Sequence, residues 1–429
     1  MGNNTELNNT FLFLIICFIF TLLPEAHAFQ LKTSIITEFK ILPSDGAAED
    51  YFGQSVSISG DYAIVGAYGD DDHDSDSGSA YIFERSGRTW TQAAKLNASD
   101  GAADDLFGKS VSISGDYAVV NAFWDDDKGS NSGSVYIFER SSGIWTQMTK
   151  LTAGDGAVDD WFGFEVSLSG DYAIFGAPME DTNGSDSGSA YIFERSGGIW
   201  TQAAKLTAGD GAADDRFGYD VSISGDYAIV GAYGDDDNGS SSGSAYIFER
   251  SGGIWTQAAK LTAGDGAADD FFGRLVSISG EYAVVGAYGD DDHGSSSGSA
   301  YIFEKSGGIW IQAVKLTAGD GAADDFFGWD VSISDNYAIV ATPYNDATGS
   351  SSGAAYIFER NDGIWTQAVK LVASDSTNYH YFGQSVSIWN NRTIVSAFND
   401  DNGWNSGSAY IYSFSGIAIP GIPLLLLSE

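Results

Sequence analysis

The chain has 429 residues, 43% of them hydrophobic and 14% aromatic, which is ample material for a packed core. Its formal net charge of −39 argues against binding to nucleic acid or to anionic membrane surfaces. The one cysteine, Cys17, lies in an N-terminal leader, so the mature chain is expected to have no disulfide, no Cys-ligated zinc and no thiol nucleophile.

Residues 1–28 have the features of a signal peptide. An apolar run extends from Phe11 to Leu23, and Ala26-His27-Ala28 has the small-residue form of a cleavage site. The leader contains no Lys or Arg, so an uncleaved anchor is the alternative. We expect the mature protein to be secreted, periplasmic or located at the cell surface, without insertion of its folded domain into a membrane.

The rest of the chain is a tandem repeat. A Phe-Gly pair recurs every 55 residues, which gives seven copies of one unit. A period of this length is typical of architectures in which each copy is one supersecondary unit packed against its neighbours. The phenylalanines are Phe52, Phe107, Phe162, Phe217, Phe272, Phe327 and Phe382.

The sequence pattern of each repeat predicts four short strands and no helix. In the first copy, residues 55–59 alternate polar and apolar, and Gly60-Asp61 is a pair suited to a tight hairpin before residues 62–65. Two further runs, 80–83 and 90–96, complete the set. The sequence therefore predicts an all-β fold, a seven-bladed β-propeller of four-stranded antiparallel blades, with the tryptophans of the fourth strands packed between blades.

The two ends of the repeat array predict how the ring closes. The seventh copy stops before its fourth strand, whereas residues 34–42 before the first copy align with that strand. We expect this N-terminal strand to complete the last blade, which would leave no open edge. The propeller would then span residues 29–415, followed by an apolar tail, 416–429, that is too short to cross a bilayer.

The repeat resembles a known family. Phe162-Gly163 followed by Gly176-Ala177-Pro178 is similar to the FG-GAP repeat of integrin α-subunit propellers, and the other copies carry variants such as Gly231-Ala232-Tyr233. The resemblance covers all seven copies and implies a binding or adhesion module. In that family the calcium cage lies between the first two strands of a blade, where this chain has only Gly60-Asp61 or its equivalents, so the family's calcium sites cannot be transferred residue by residue.

Acidic residues concentrate in two loops of each repeat. In a propeller, the loop between the second and third strands and the loop between blades emerge on the same face. We therefore hypothesise that Ca²⁺ binds between the two loops, since Ca²⁺ takes several carboxylate and carbonyl oxygens; solvated acidic loops with Asx turns are the alternative. The candidate ligands are Asp70, Asp72, Asp125, Asp127, Asp210, Asp214, Asp235, Asp237, Asp265, Asp269, Asp290 and Asp292.

The residues flanking each Phe-Gly pair vary between copies although the rest of the repeat is nearly constant. We expect them at the rim where the innermost strands begin, and exposed aromatic and arginine side chains suit a recognition surface. Drift at unconstrained exposed positions is the alternative. The candidate binding residues are Trp161, Phe164, Arg216, Tyr219, Phe271, Arg274, Phe326 and Trp329.

Catalytic signatures are missing from the sequence. The histidines do not form a common set, and the paired carboxylates recur in nearly every copy, so they do not indicate glycosidase chemistry. We predict a noncatalytic binding or adhesion module with a protein or glycan ligand at the acidic face. A multivalent lectin is the alternative; a hydrolase is a third, for which only the divergent seventh copy, with Asn378, His380, Trp389 and Trp404, offers candidates.

Overall fold

In the computed structural model, residues 35–72, 74–399 and 403–415 are described, and they form 28 β-strands arranged as seven sheets of four antiparallel strands. The predicted fold class is confirmed. The predicted signal peptide and the apolar tail lie outside the described residues. Within those ranges, the structure contains no helix with the length and apolarity that a bilayer crossing requires.

The strands occupy four radial positions. The innermost strands are β2 Val56–Ser59, β6 Val111–Ser114, β10 Val166–Ser169, β14 Val221–Ser224, β18 Val276–Ser279, β22 Val331–Ser334 and β26 Val386–Trp389. The second strands are β3 Tyr62–Ala67, β7 Tyr117–Ala122, β11 Tyr172–Ala177, β15 Tyr227–Ala232, β19 Tyr282–Ala287, β23 Tyr337–Thr342 and β27 Arg392–Ala397. The third strands are β4 Ser79–Ser86, β8 Ser134–Ser141, β12 Ser189–Ser196, β16 Ser244–Ser251, β20 Ser299–Ser306, β24 Ala354–Asn361 and β28 Ser408–Ser415. The outer strands are β5 Thr89–Leu96, β9 Ile144–Leu151, β13 Ile199–Leu206, β17 Ile254–Leu261, β21 Ile309–Leu316, β25 Ile364–Leu371 and, from the N-terminal end of the chain, β1 Ile35–Ile41.

The ring closes as predicted. Strand β1 pairs antiparallel with β28, from Ile35 opposite Ser415 to Ile41 opposite Ala409, and the sheet order is β1-β28-β27-β26. The N-terminal strand thus supplies the outer strand that the seventh repeat lacks. The last sheet has the same four strands as the others, so β28 has no open edge.

The predicted hairpin turn between the first two strands is confirmed. Gly60 has φ 63°, and the residues that replace it in the last two copies, Asp335 and Asn390, have φ 53° and 54°. Asp and Asn tolerate this left-handed conformation better than most side chains, which explains the substitutions.

The core lies between consecutive blades. Phe217 is fully buried and packs edge-on against Tyr246 of its own blade, with 5.5 Å between ring centroids, and both belong to a core cluster that includes Ile174 and Ile192 of the preceding blade. Trp255 of an outer strand is 9% exposed and packs against Tyr172 of the preceding blade, 6.2 Å away. The expected structural role of the tryptophans is confirmed, and each blade depends on its neighbour for burial.

Serine side chains join the innermost strands around the central channel. The hydroxyl of Ser222 accepts a hydrogen bond from the backbone N–H of Ile278 at 3.2 Å, and that of Ser277 accepts one from Ile333 at 3.2 Å. Each bond runs from one blade to the previous one. These serines satisfy N–H groups that the channel-facing edge of each sheet would otherwise leave unpaired.

Candidate binding face

The two acidic loops of each repeat meet on one face, and a lysine lies between them. The Lys260 Nζ atom is 2.8 Å from Asp210, 2.8 Å from Asp235 and 2.6 Å from Asp237. Asp210 belongs to the loop between blades, and the other two to the loop between the second and third strands. Contact between the loops confirms that both emerge on the same side of the ring, which we call the acidic face.

The same arrangement recurs around the ring, but the residues that contact the lysine differ between copies. Lys315 lies 2.7 Å from Asp265, 2.8 Å from Asp290 and 2.6 Å from Asp292. Thr182 and Asn345 replace a carboxylate in two copies, so Lys205 and Lys370 have fewer acidic partners than Lys260. The other groups are Lys95 with Asp45, Asp70 and Asp72; Lys150 with Asp100, Asp125 and Asp127; Lys205 with Asp155, Glu180 and Thr182; Lys370 with Asp320 and Asn345; and Lys40 with Asp375.

The lysine and the carboxylates stabilise each other's charged forms. Burial alone would lower the pKa of Lys260, but the hydrogen bonds to the three carboxylates outweigh it and raise the pKa above the ordinary value. Burial alone would raise the pKa of Asp210, but hydrogen bonds from Lys260 and Tyr246 lower it. The Tyr246 hydroxyl lies 3.0 Å from Asp210 and 2.9 Å from Asp235. Each group therefore behaves as a charged network that neutralises part of the acidic face.

Two of these carboxylate groups have the geometry to hold a metal ion. In the sets Asp210, Asp235, Asp237 and Asp265, Asp290, Asp292, one oxygen from each residue lies within 4.8 Å of the others. The lysine ammonium, however, contacts the same carboxylates. The residues therefore fit the ammonium as they stand, and a divalent cation would have to compete with it for the same oxygens.

The predicted calcium ligands divide into two sets. Ten of them lie in the lysine-centred groups, whereas Asp214 and Asp269 lie outside these groups, on exposed backbone with φ 66° and 64°. Sequence reasoning did not include Asp45 and Asp100, nor the lysine. The recurrence of that lysine every 55 residues is the sequence signal from which its role could have been inferred.

The last acid of the loop between blades has a structural role. Asp215 is buried, and its carboxylate accepts a hydrogen bond from the backbone N–H of Ala212 at 2.7 Å. Burial raises its pKa. Burial raises the pKa values of the equivalent residues Asp50 and Asp105 to about 6. One acid of the loop thus pairs with lysine while another closes the turn.

An aromatic belt surrounds the channel mouth on this face. Trp161 stacks on Phe164, with 5.8 Å between ring centroids, and Phe164 lies 4.9 Å from Tyr219 of the next blade. Ring contacts continue from blade to blade as far as Tyr381. The remaining members are Phe123, Tyr233, Phe271, Tyr288, Phe326, Trp329 and Tyr344.

Two arginines are inserted in the belt. The Arg274 guanidinium carbon is 5.5 Å from the ring centroid of Tyr219, 4.9 Å from that of Tyr288 and 5.0 Å from that of Trp329. Arg216 lies over Tyr233 at 5.8 Å. These distances are those of cation–π contacts.

The structure brings all eight candidate binding residues together in this belt. The expectation that they are exposed is wrong: Phe164 is buried and the other seven are half-buried, because their rings and guanidinium groups pack against one another. Five further members of the belt are not among the sequence candidates: Phe123, Tyr233, Tyr288, Tyr344 and Tyr381. Tyr233 and Tyr288 occupy the third position of the Gly-Ala-Pro-like motif. Aromatic residues at that position in several copies were the available signal.

Carboxylates lie just below the belt in the channel. Asp330 accepts hydrogen bonds from the backbone N–H groups of Val331 and Val386, both at 2.7 Å, and burial raises its pKa to about 7. Burial and the charge of Glu165 raise the pKa of Asp220 well above its ordinary value. Three copies have serine at this position and one has leucine. The channel mouth is therefore lined by aromatic side chains, and the channel just below it has carboxylates in some blades and serine or leucine in others.

The seventh blade does not bring all four candidate hydrolase residues into one site. The Asn378 side chain accepts a hydrogen bond from the backbone N–H of Ser350 in the sixth blade at 2.9 Å. His380 is 4% exposed, and its Nε2 atom lies 3.3 Å from the Tyr410 hydroxyl. Trp389 ends the innermost strand on the opposite face, next to the turn that leads into Arg392. Trp404 is 70% exposed in the loop that precedes β28.

The sequence matches the family described as FG-GAP repeat in seven successive segments: 37–83, 90–138, 145–193, 200–248, 255–303, 310–358 and 365–412. Each of these segments begins in an outer strand and ends in the third strand of the next blade, which is the offset that closes the ring. No curated protein matches. A solved structure, the crystal structure of the Saccharomyces cerevisiae Sqt1, covers 88% of this chain and 98% of its own, with 10% identity and a TM-score of 0.47.

Proposed function

Because the chain belongs to the FG-GAP repeat family, we propose that it is an exported, noncatalytic binding or adhesion module whose acidic face recognises a partner protein. The observation that carries this proposal is the aromatic belt with its two arginines. Tyr, Trp and Arg are the residue types that dominate binding energy at protein interfaces, and here they surround one concave mouth. The surrounding acidic loops favour a partner with a basic contact surface, since opposite charge accelerates association.

The variation around the belt favours one asymmetric partner site. The position after each Phe-Gly pair is Gln54, Lys109, Phe164, Tyr219, Arg274, Trp329 and Gln384 in successive blades. Seven identical weak sites, as in a multivalent lectin, would need the same residue in each blade. Aromatic faces also stack on sugar rings, so a glycan remains the second candidate ligand.

Substitutions that the chain itself uses provide the test. Tyr219→Gln and Trp329→Gln introduce the residue found at this position in blades one and seven, so we expect the double variant to fold. Immobilised basic and acidic peptide libraries and a glycan array should be probed with both proteins, with and without a chelator. We expect the wild type to bind basic peptides and the double variant to lose about tenfold or more in affinity. Equal binding by both proteins would contradict the proposal, and binding to glycans alone would favour the lectin.

In this proposal, calcium competes with the lysine ammonium for the carboxylate oxygens of the acidic loops. We infer that the acidic groups rely on their lysines for neutralisation, and that calcium binds only where the lysine is displaced. Chelator should then leave partner binding unchanged. Loss of binding on chelation would favour the calcium sites hypothesised from the sequence.

Export is the part of the proposal that depends on residues 1–28. The apolar run and the cleavage motif support it. Expression of the full chain in a secretion-competent host, followed by mass spectrometry of the released protein, is the test. We expect an N terminus at residue 29; a cell-associated chain that retains the leader would favour the anchor.

A further inference from the structure

The seam between the last and first blades differs from the other six. At a standard seam, a tyrosine at the start of the second strand lies under a cation of the next blade: Arg250 is 4.2 Å from the ring centroid of Tyr172. Two carboxylates flank this pair. Tyr172 donates a hydrogen bond to Glu194 at 2.7 Å, and Arg250 pairs with Asp226. A standard seam, as found between the first five blades, therefore has one cation and two acids. At the next seam Asn336 replaces one acid, and at the seam between the sixth and seventh blades Phe414 replaces the cation and packs 5.2 Å from Tyr337.

Three substitutions change the charge of the closing seam. Arg392 replaces the tyrosine, Ser413 replaces the glutamate that pairs with it, and Arg88 replaces a glycine. Arg85 and Asp61 keep their standard roles. The positions that define the standard residues are Tyr62, Tyr117, Tyr172, Tyr227, Tyr282 and Tyr337; Glu84, Glu139, Glu194, Glu249, Glu304 and Glu359; and Gly143, Gly198, Gly253, Gly308 and Gly363.

Arg85, Arg88 and Arg392 line one cavity of about 250 Å³ on the face opposite the acidic loops, and Trp90 forms part of its wall. Arg85 and Arg392 share the same oxygen of Asp61, at 2.7 and 3.2 Å. Glu38 also lines the cavity, and its carboxylate accepts hydrogen bonds from Tyr412 and Ser374. Burial and the neighbouring Arg85 lower the pKa of Arg392. Two like charges therefore share one carboxylate, while each guanidinium also donates to a backbone carbonyl, Arg85 to Gly87 and Arg392 to Gly60.

We propose that this cavity, the closure-seam pocket, binds a small ligand bearing an oxyanion, either a free inorganic oxyanion or the carboxylate of a sugar acid. Guanidinium groups form paired hydrogen bonds with carboxylate, sulfate and phosphate oxygens. Arg88 is exposed, so it can reach a ligand from the rim, whereas Arg392 lies deeper. The indole of Trp90 lies on the wall of the cavity but is only 5% exposed, so the arginines provide the ligand contacts. The cavity has more arginines than acidic residues on its walls, whereas the rest of the chain is strongly acidic.

Calorimetric titration of the full chain at low ionic strength tests this proposal, with sodium sulfate and sodium glucuronate as probes and glucose as the neutral control. Arg88→Gly and Arg392→Tyr together restore two of the three standard residues and remove both additional arginines, so we expect the double variant to fold. Ser413→Glu restores only the missing acid. We expect the wild type to bind the anionic probes and not glucose, and the double variant to lose about tenfold or more in affinity. Ser413→Glu should weaken binding to a smaller extent.

Each outcome decides the proposal. Sulfate binding without glucuronate binding would assign a free oxyanion, and tighter binding of glucuronate than of sulfate would assign a sugar acid. Equal affinity of the wild type and the double variant would overturn the proposal, as would equal affinity for glucose or no binding of either anion by the wild type. Far-UV circular dichroism and melting temperature serve as folding controls.

Discussion

At the residue scale, the acidic face depends on the lysine at the end of each outer strand. The side chain of Lys260 is 19% exposed and that of Asp235 is 6% exposed, so this pair is screened less than a surface ion pair. Removing the ammonium would leave three carboxylates in mutual repulsion. The lysine thus supplies the charge that the sequence suggested for calcium.

Lys260→Met should lower the free energy of unfolding by about 1–3 kcal/mol, because it removes the partner of partly buried carboxylates. It should also create a calcium site, since the three carboxylates then have no competing cation. Melting temperature measured with and without millimolar calcium checks both effects. Lys205→Met is the matched control, because Thr182 replaces one carboxylate there and the calcium response should be smaller. A wild type that calcium stabilises as strongly as Lys260→Met would contradict this account.

The channel carboxylates predict a pH dependence with a definite sign. Burial raises the pKa of Asp330 to about 7 from the ordinary 3.8, so the folded state binds this proton more tightly than the unfolded state. Asp330 therefore destabilises the fold above pH 7, and the loss is recovered as pH falls from 7 towards 4. Asp330→Ser introduces the residue of three other copies. It should be more stable than the wild type by about 1–2 kcal/mol at pH 8, with no such gain at pH 4. Identical pH profiles would show that Asp330 titrates normally.

Some residue roles could be predicted from the sequence and others could not. Periodicity placed Asp235 and Asp237 in one loop and Asp210 in another, and propeller topology placed both loops on one face. The distance between Lys260 and these loops could not be read from spacing, because it depends on the twist of the sheet and the length of the side chain. The nearness of Asp214 to Asp210 in sequence predicts a shared site, but Asp214 has a left-handed backbone conformation and lies outside the group around Lys260.

At the scale of elements, the ring depends on the pairing of β1 with β28. This pairing was predictable, because the seventh repeat lacks an outer strand and the residues before the first repeat supply one. The aromatic contacts between neighbouring blades were less predictable. Each flanking residue was visible in the sequence, but its neighbour across the seam was not.

A disulfide across this pairing tests the register. Thr37 lies opposite Ser413, and the mature chain is predicted to have no cysteine. With Cys17 replaced by serine, Thr37→Cys and Ser413→Cys should form a bond on oxidation and stabilise the protein by about 3–5 kcal/mol, because the bond closes nearly the whole chain into a loop. Thiol labelling and thermal unfolding provide the measurement. Thiols that remain reactive in the native protein would contradict the observed register.

At the scale of the whole molecule, the ring separates charge and chemistry between its faces. One face has the lysine-neutralised acidic loops and the aromatic belt, and the other has the turns, the standard arginine pairs and the closure-seam pocket. The nearly constant part of the repeat builds the sheets and the core. Substitutions at the channel mouth and at the closing seam place arginine and aromatic side chains there, and these are the places where we expect ligands.

The most direct test of the central claim is binding of fluorescently labelled protein to the surface of cells from the source organism, measured as affinity for three proteins in parallel. The wild type should bind saturably. Tyr219→Gln with Trp329→Gln, on the acidic face, should reduce affinity about tenfold or more, whereas Arg88→Gly with Arg392→Tyr, on the opposite face, should leave it unchanged. If the acidic-face variant binds as tightly as the wild type, the aromatic belt is not the recognition surface.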